Sequence, residues 1–278
     1  IKRLNKYKLI VKTLPSISEI VNGRVTISDI KDLNIDDLLN REQVKPNIKL
    51  LNKNINKKIV LVTGAGGSIG SELSRQIIKL KPSKLLLLEL NEFSLYKIYE
   101  ELLNNNKNQK IIPLLVDSKD QANLEIIFET YKVDTIYHTA AYKHVPLVEE
   151  NPIQGLTNNI ISTLEICNAA FKTKVSKIIL ISSDKAVRPT NVMGASKRIS
   201  EMIIQGFHKK SEEEQLKNKD FKKVFSMVRF GNVLGSSGSV VPLFKKQISK
   251  GGPITITHKD IVRYFMTITE AAQLVIQA

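Results

Sequence analysis

Ser182-Ser183-Asp184-Lys185, followed by Met193-Gly194-Ala195-Ser196-Lys197, holds the side chains of this chain best suited to chemistry. A carboxyl group beside an amine can exchange protons with a bound molecule, one partner as acid and the other as base. The apolar run Ile178 to Ile181 reads as a buried strand that delivers Ser183, Asp184 and Lys185 at its end. A helix beginning near Met193 would set Met193 and Lys197 at i and i+4, on one face, so both can point into the same cleft.

A second constellation has phosphate-binding character. Thr63-Gly64-Ala65-Gly66-Gly67-Ser68-Ile69-Gly70 follows the apolar run Ile59 to Val62 and opens a helix carrying Leu73, Ile77 and Ile78. Glycines at 64, 67 and 70 leave room for a tight turn, a pyrophosphate against the backbone, and close packing of helix on strand. The N–H groups of the helix start, at Ser68, Ile69 and Gly70, then face the phosphates. Glu89 ends the next strand about 20 residues on, where a carboxylate accepts ribose hydroxyls and repels a 2′-phosphate, which argues for NAD over NADP. Asp117 and Ser118, after the third strand, are placed to meet the adenine edge, with a simple strand-ending turn as the competing reading.

The elements that must position these groups alternate. Apolar runs at Ile59 to Val62, Leu85 to Leu88, Ile111 to Val116, Thr135 to Tyr137, Ile178 to Ile181 and Val224 to Val228 are separated by amphipathic stretches of helical length. That pattern predicts an α/β fold: a Rossmann-like doubly wound parallel sheet, with a smaller C-terminal substrate-binding lobe. Residues 1–47 read as an N-terminal arm without a core of its own, and 48–278 as the NAD-binding domain with its lobe. Ala271 to Ala278 reads as an apolar helix with no closing element after it.

With 278 residues and 42% apolar content, the chain can bury a large core. Its single cysteine, Cys167, excludes an internal disulfide and reads as a packed core thiol, natural in a reducing, cytoplasmic compartment. The longest apolar run is far shorter than the roughly 20 residues of a bilayer span, so this segment itself is expected to make no membrane contact. A first residue of Ile1 suggests a piece of a longer protein. The net charge of +15 invites anionic partners, but lysine and asparagine are spread throughout, without the basic, aromatic-interleaved stripe of a nucleic-acid binder. An anionic nucleotide-bearing substrate absorbs some of that charge. The four histidines are scattered, and no metal pattern is seen.

Ala140-Ala141-Tyr142-Lys143-His144-Val145-Pro146, taken with the glycine spacing, resembles the extended short-chain dehydrogenase/reductase family. Asn158-Asn159-Ile160 with Thr163, Ser182-Ser183-Asp184-Lys185-Ala186, Arg229 to Gly235 and Arg263 to Thr267 narrow the resemblance to nucleotide-sugar 4,6-dehydratases of bacterial polysaccharide and glycan synthesis. Among them it is most similar to the large group, anchored in the bacterial inner membrane, that acts on UDP-N-acetylglucosamine. The resemblance implies NAD as cofactor, a UDP-sugar substrate and a lyase: oxidation at C4, loss of water across C5 and C6, and return of the hydride to C6. Asp184 matches the acid that protonates the departing C6 hydroxyl, and Lys185 the base that takes the C5 proton. A neutral Lys185 is required, favoured by desolvation and by positive neighbours such as Lys143 and Lys197. Ser183 would hold the C4 hydroxyl, Lys197 the cofactor ribose, and Ala140, Ala141 and Lys143 the nicotinamide side. Asn232, Ser239 and Val240 match the uridine-side segment, Arg263 the diphosphate clamp, and Lys143 also borders the sugar.

One departure from the wider family matters. Most of its members place tyrosine four residues before the lysine, whereas this chain has Met193, whose thioether cannot take a proton. Ser183 with water, or Lys197, must then serve. The membrane-anchored group shares this methionine. A C4 epimerase of the same fold and a non-catalytic NAD-binding module stay open as alternatives, and a homo-oligomer is compatible with either.

Overall fold

The computed structural model describes residues 44–106, 108–236, 240–256, 258, 260 and 262–278, with the backbone of Lys12–Thr13 and Lys31–Asp32. The chain forms two compact units, 1–43 and 44–278. In the first, β1 (Lys12–Thr13) pairs antiparallel with β2 (Lys31–Asp32). The expected arm at 1–47 otherwise falls largely outside the described residues.

Six parallel strands build the second unit: β3 (Ile59–Thr63), β4 (Lys84–Glu89), β5 (Ile111–Leu115), β6 (Thr135–His138), β7 (Lys177–Ser183) and β8 (Val224–Phe230). They lie in the order β5-β4-β3-β6-β7-β8. The order reverses between β3 and β6, and beyond the carboxyl ends at such a reversal is where open parallel sheets bind ligand. Pro113, which cannot donate to a ladder, lies in β5 at the sheet edge.

Helices cover both faces because alternate strand residues point opposite ways. One face, with Val60, Val62, Leu85, Leu87, Ile179 and Ile181, packs against α1 (Ile48–Ile55), α2 (Ser68–Lys79) and α3 (Glu92–Asn105). The other, with Leu61, Leu86, Leu88, Ile136, Ile178 and Leu180, packs against α4 (Gln121–Tyr131) and the helices that follow β6 and β7. After β6 come α5 (Val145–Glu150), α6 (Pro152–Leu156), a π-helical turn at Thr157–Ile161 and α7 (Ser162–Lys172). Cys167 on α7 is buried in that second core, as its helical pattern predicts, and burial pushes its thiol pKa up.

A 26-residue helix, α8 (Val192–Lys217), follows β7. Beyond β8 the chain makes a small parallel pair, β9 (Asn232–Val233) with β10 (Phe265–Met266), and an excursion between them, α9 (Val240–Ser249), without a buried residue. The final helix, α10 (Ile268–Gln277), packs into the first core. Ala272, Val275 and Ile276 complete the first core, and the Ile276 carbonyl accepts from Asn54 Nδ2 at 2.8 Å. Among the described residues no helix is long and apolar enough to cross a membrane.

Candidate active site

The cradle at the end of β3 is built by close backbone approach. Gly64 has φ +61°, and a side chain there would lie 2.8 Å from the Ala140 backbone. Gly70, inside the first turn of α2, sits under the Gly64 carbonyl, and a Cβ would be 2.1 Å from that oxygen. Gly70→Ala is therefore expected to cost about 1–3 kcal/mol in stability, since backbone rather than a flexible side chain must move. A thermal melt and a dinucleotide titration check it, with weaker NAD binding as the companion result. Helix α2 begins after Gly67 with no side-chain cap, which leaves its positive dipole end to a ligand. These features fit a pyrophosphate.

Glu89 ends β4 as expected, and its carboxylate faces the cradle: Oε2 accepts from Gly66 N at 3.1 Å, and Oε1 from Leu90 and Asn91 N. A carboxylate has about four acceptor sites, so one remains for a ribose hydroxyl. Asp117 makes the turn that competed with an adenine role, accepting from Lys119 N at 2.9 Å and pairing with Lys119 Nζ at 3.0 Å. Ser118 follows it, half-buried.

Behind Ala140 and Ala141 runs a buried hydrogen-bond chain. Thr163 Oγ1 donates to Asn159 O at 2.8 Å, so it must accept from His138 Nε2–H at 3.2 Å. His138 Nδ1 then accepts from the Thr63 hydroxyl at 2.7 Å, and Thr63 Oγ1 accepts from Thr139 and Ala140 N. Burial, with Lys197 adding to it, pushes the His138 pKa down to about 3, so the ring is neutral. Asn159 sits in the π-helical turn, where such turns favour functional side chains. Its Oδ1 accepts from Tyr142 N, and its Nδ2 donates to Tyr142 O and to Ser196 Oγ. One buried amide thus joins the Ala140–Lys143 loop to α8. Lys143, next to Tyr142, has its pKa lowered by desolvation.

Helix α8 starts one residue before Met193, capped by Asn191, whose Oδ1 accepts from Gly194 N at 2.8 Å. Met193 and Lys197 share a buried face, at 3% and 7% exposure. Lys197 Nζ donates to the Ile181 carbonyl of β7 at 3.0 Å, and burial lowers its pKa to about 8 against the pull of Glu201. Glu201, one further turn along, is fully buried and accepts from Ser182 Oγ, Arg229 and Arg198. Arg229 is thereby a structural strand residue.

Asp184 and Lys185 form the short 3-10 turn after β7, Asp184–Ala186. Asp184 Oδ1 accepts from Ser183 Oγ at 2.8 Å and from Lys185 Nζ at 3.1 Å. Partial desolvation raises the Asp184 pKa, but these two bonds outweigh it and hold the carboxyl below its usual range. Asp184 and Lys185 thus rest as an ion pair, 3.1 Å apart. The lobe reaches the pair at Gly231: a Cβ there would lie 3.2 Å from Tyr264 O and 3.9 Å from Asp184 Oδ2. Asn232 N donates to Tyr264 O at 3.1 Å, so the strand pair brings the Asn232 and Arg263 segments beside Asp184. Arg263 is exposed, with Nη1 donating to Val262 O. Val240 opens α9, partly exposed, and Ser239 lies outside the described residues.

Sequence reasoning missed the supports: Thr63, His138, Ser182 and Glu201. A carboxylate one turn beyond Lys197 on an otherwise buried helix face was the available signal for Glu201.

Parallel strands in this order, with an uncapped helix over a glycine cradle, define a Rossmann-like fold of the extended short-chain dehydrogenase/reductase class. The profile of a family described as "Polysaccharide biosynthesis protein" matches residues 60–278, and the chain belongs to that family. It is 43% identical over 285 residues to "Capsular polysaccharide biosynthesis protein CapD" of Staphylococcus aureus, covering 100% of this chain and 46% of that one. It is 31% identical over 223 residues to "UDP-N-acetylglucosamine 4,6-dehydratase (inverting)" of Campylobacter jejuni, covering 80% of this chain and 63% of that one. The chain spans about half the length of the first of these relatives. Among solved structures, Pen from Bacillus thuringiensis matches with a TM-score of 0.71 and 33% identity, covering 80% of this chain and 67% of that one.

Proposed function

We propose that this chain is the NAD-binding catalytic domain of a 4,6-dehydratase that converts UDP-N-acetylglucosamine to its 4-keto-6-deoxy product for bacterial polysaccharide or glycan synthesis. The observation that carries the reading is the Asp184–Lys185 pair just past the carboxyl end of β7, 3.1 Å apart and with Asp184 Oδ2 toward Gly231. Elimination needs an acid and a base; epimerisation at C4 needs neither in that position.

When bound, NAD would supply the hydride chemistry, held by the Gly64–Gly70 cradle, Glu89, Ala140, Ala141 and Lys197. The residues of this chain handle the protons. Transfer of one proton along the existing bond from Lys185 to Asp184 turns the ion pair into an amine and a carboxylic acid without changing net charge. Lys185 then takes the C5 proton, and Asp184 gives its own to the departing C6 oxygen. Ser183, already bonded to Asp184, holds the C4 oxygen; Asn232 and Arg263 bind the uridine diphosphate.

Met193 leaves the C4 hydroxyl without the usual phenol. Lys197, with a pKa lowered to about 8, is partly deprotonated near neutrality and can fill that role. Turnover should then rise with pH through about 8 and flatten above it, and Lys197→Arg should remove that limb from a pH–rate curve.

The deciding experiment is mass spectrometry of the sugar nucleotide after incubation: loss of one water supports dehydration. An unchanged mass with inverted C4 would favour the second reading, an epimerase, which relatives named "UDP-glucose 4-epimerase" in Rickettsia at 30–32% identity also support. Unchanged substrate with intact NAD binding would leave a non-catalytic module. The parent protein is proposed to be anchored in the bacterial inner membrane with this domain on the cytoplasmic side. An archaeal relative, 42% identical over 80% of this chain, carries the name "Uncharacterized membrane protein MJ1061".

A further inference from the structure

The two ends of the sheet carry opposite chemistry. At the carboxyl end, strands finish on or just before Glu89, Asp117, His138 and Asp184. At the amino end, five of the six strands begin on or directly after a lysine, namely Lys58, Lys84, Lys110, Lys177 and Lys223, and β6 begins three residues after Lys132. From this asymmetry we propose, against the expectation of no membrane contact drawn from the short apolar runs, that the amino end of the sheet is a docking face for an anionic bilayer surface.

The charge there is largely uncompensated. Among the described residues, Lys58, Lys84, Lys110, Lys132 and Lys177 make no ion pair. The local acids are outnumbered: Asp134 is spent on Ile59 N, Glu125 on Lys172 and Glu214 on Lys217, leaving Glu129, Asp220 and, on the last turns of α8, Glu212 and Glu213. Helix C-termini at this end account for part of the lysine content, each offering roughly half a negative charge. Lys223 shows that use directly, donating to the Ala170 and Thr173 carbonyls at the end of α7. Half a charge per helix leaves most of the lysines unmatched. Desolvation and then the like charges of Lys53 and Lys58 lower the Lys177 pKa, as expected of cations crowded without counter-charge.

Shape and chemistry select the partner. Six strands at about 4.8 Å spacing make an edge roughly 24 Å wide, broad enough for a layer of headgroups. Two clefts of about 340 and 310 Å³ open there, the first lined by Lys132 and both by Lys172 and Lys174, and phosphate groups fit such sites. Base stacking is disfavoured, because the nearby rings of Tyr131 and Phe221 are covered by Lys84 and Lys223. Lysine, a point charge on a flexible stem, suits diffuse lipid charge better than one fixed ligand. Docked this way, the carboxyl end faces solution, and the proposal is independent of which reaction occurs there.

Co-sedimentation of the purified chain with vesicles tests it. Binding is expected to phosphatidylcholine vesicles containing phosphatidylglycerol, to fall with added salt, and to be lost on phosphatidylcholine alone. A combined Lys110→Gln, Lys132→Gln, Lys174→Gln variant should bind about fivefold more weakly per lysine removed, while the Lys→Arg version of the same three retains binding and reports that the fold is intact. A combined Lys245→Gln, Lys246→Gln, Lys250→Gln variant, with the same loss of charge on α9 and the residues after it, should bind like the parent. Equal weakening by both glutamine sets would reduce the effect to net charge and overturn the proposal. So would equal binding to neutral vesicles, no binding to anionic ones, or duplex DNA that binds as tightly through the same three lysines.

Discussion

Replacing Lys185 with alanine should lower turnover by about 10²–10⁴-fold, the usual worth of a positioned acid or base, while dinucleotide affinity stays unchanged. The lysine lies on the turn after β7, away from the Gly64–Gly70 cradle, and its bond is to Asp184 rather than to any group that shapes that cradle. Asp184→Asn should cost a similar factor through a different step. In the Asp184→Asn variant Lys185 keeps its amine but must give its proton to solvent, so in heavy water at raised pH the substrate should still exchange its C5 hydrogen for deuterium without losing water. In the Lys185→Ala variant that exchange should stop. Nuclear magnetic resonance of the recovered sugar nucleotide reads both outcomes. Wild-type-like turnover in the alanine variant, or C5 exchange surviving in it, would refute the roles given to the pair.

The second large effect concerns folding. Glu201 has no solvent exposure and accepts from Ser182, Arg198 and Arg229. Removing one member of a fully buried pair costs about 3–5 kcal/mol. Arg229 is 40% exposed, so water recovers part of that loss, and Glu201→Ala should destabilise by roughly 2–3 kcal/mol. Glu201→Gln keeps the volume and one acceptor, and should fall between. Burial raises the Glu201 pKa, but the bonds from Arg229, Ser182 and Arg198 prevail and hold it below the ordinary value of 4.5. Its stabilisation is then complete above that value and is lost as pH falls through the lower folded one. Urea titrations at neutral and acidic pH should show the gap between wild type and Glu201→Gln closing on acidification; a gap independent of pH would contradict the linkage.

Much of this architecture is legible in the sequence because fully buried parallel strands read as unbroken apolar runs. Leu85 to Leu88 and Ile178 to Ile181 are such runs, and each forms an interior strand, one in from an edge of the sheet. The glycine cradle is legible for a related reason: Gly64 and Gly70 answer backbone constraints that few other residues satisfy. What stays hidden depends on contacts distant in sequence. Nothing around Asn159 announces a π-helical turn, since the turn exists to let that amide reach both Tyr142 and Ser196. The role of Glu201 needs Arg229, 28 residues away. Helix α10 reads as an orphan end until the first core is seen to want Ala272, Val275 and Ile276.

Gly194 has a role beyond easing the start of α8. A Cβ at that position would stand 2.3 Å from the Lys185 carbonyl, so helix and turn touch backbone to backbone with nothing soft between them. In the proposed reaction Lys197, on the helix, serves the oxidation at C4, and Asp184 and Lys185, on the turn, serve the elimination across C5 and C6. Direct main-chain contact sets the spacing of these two toolsets like a fixed gauge, matched to the bond lengths of a single hexose. A ring displaced by one carbon would meet one set and miss the other, so regiochemistry here is a property of the peptide scaffold as much as of the reacting groups.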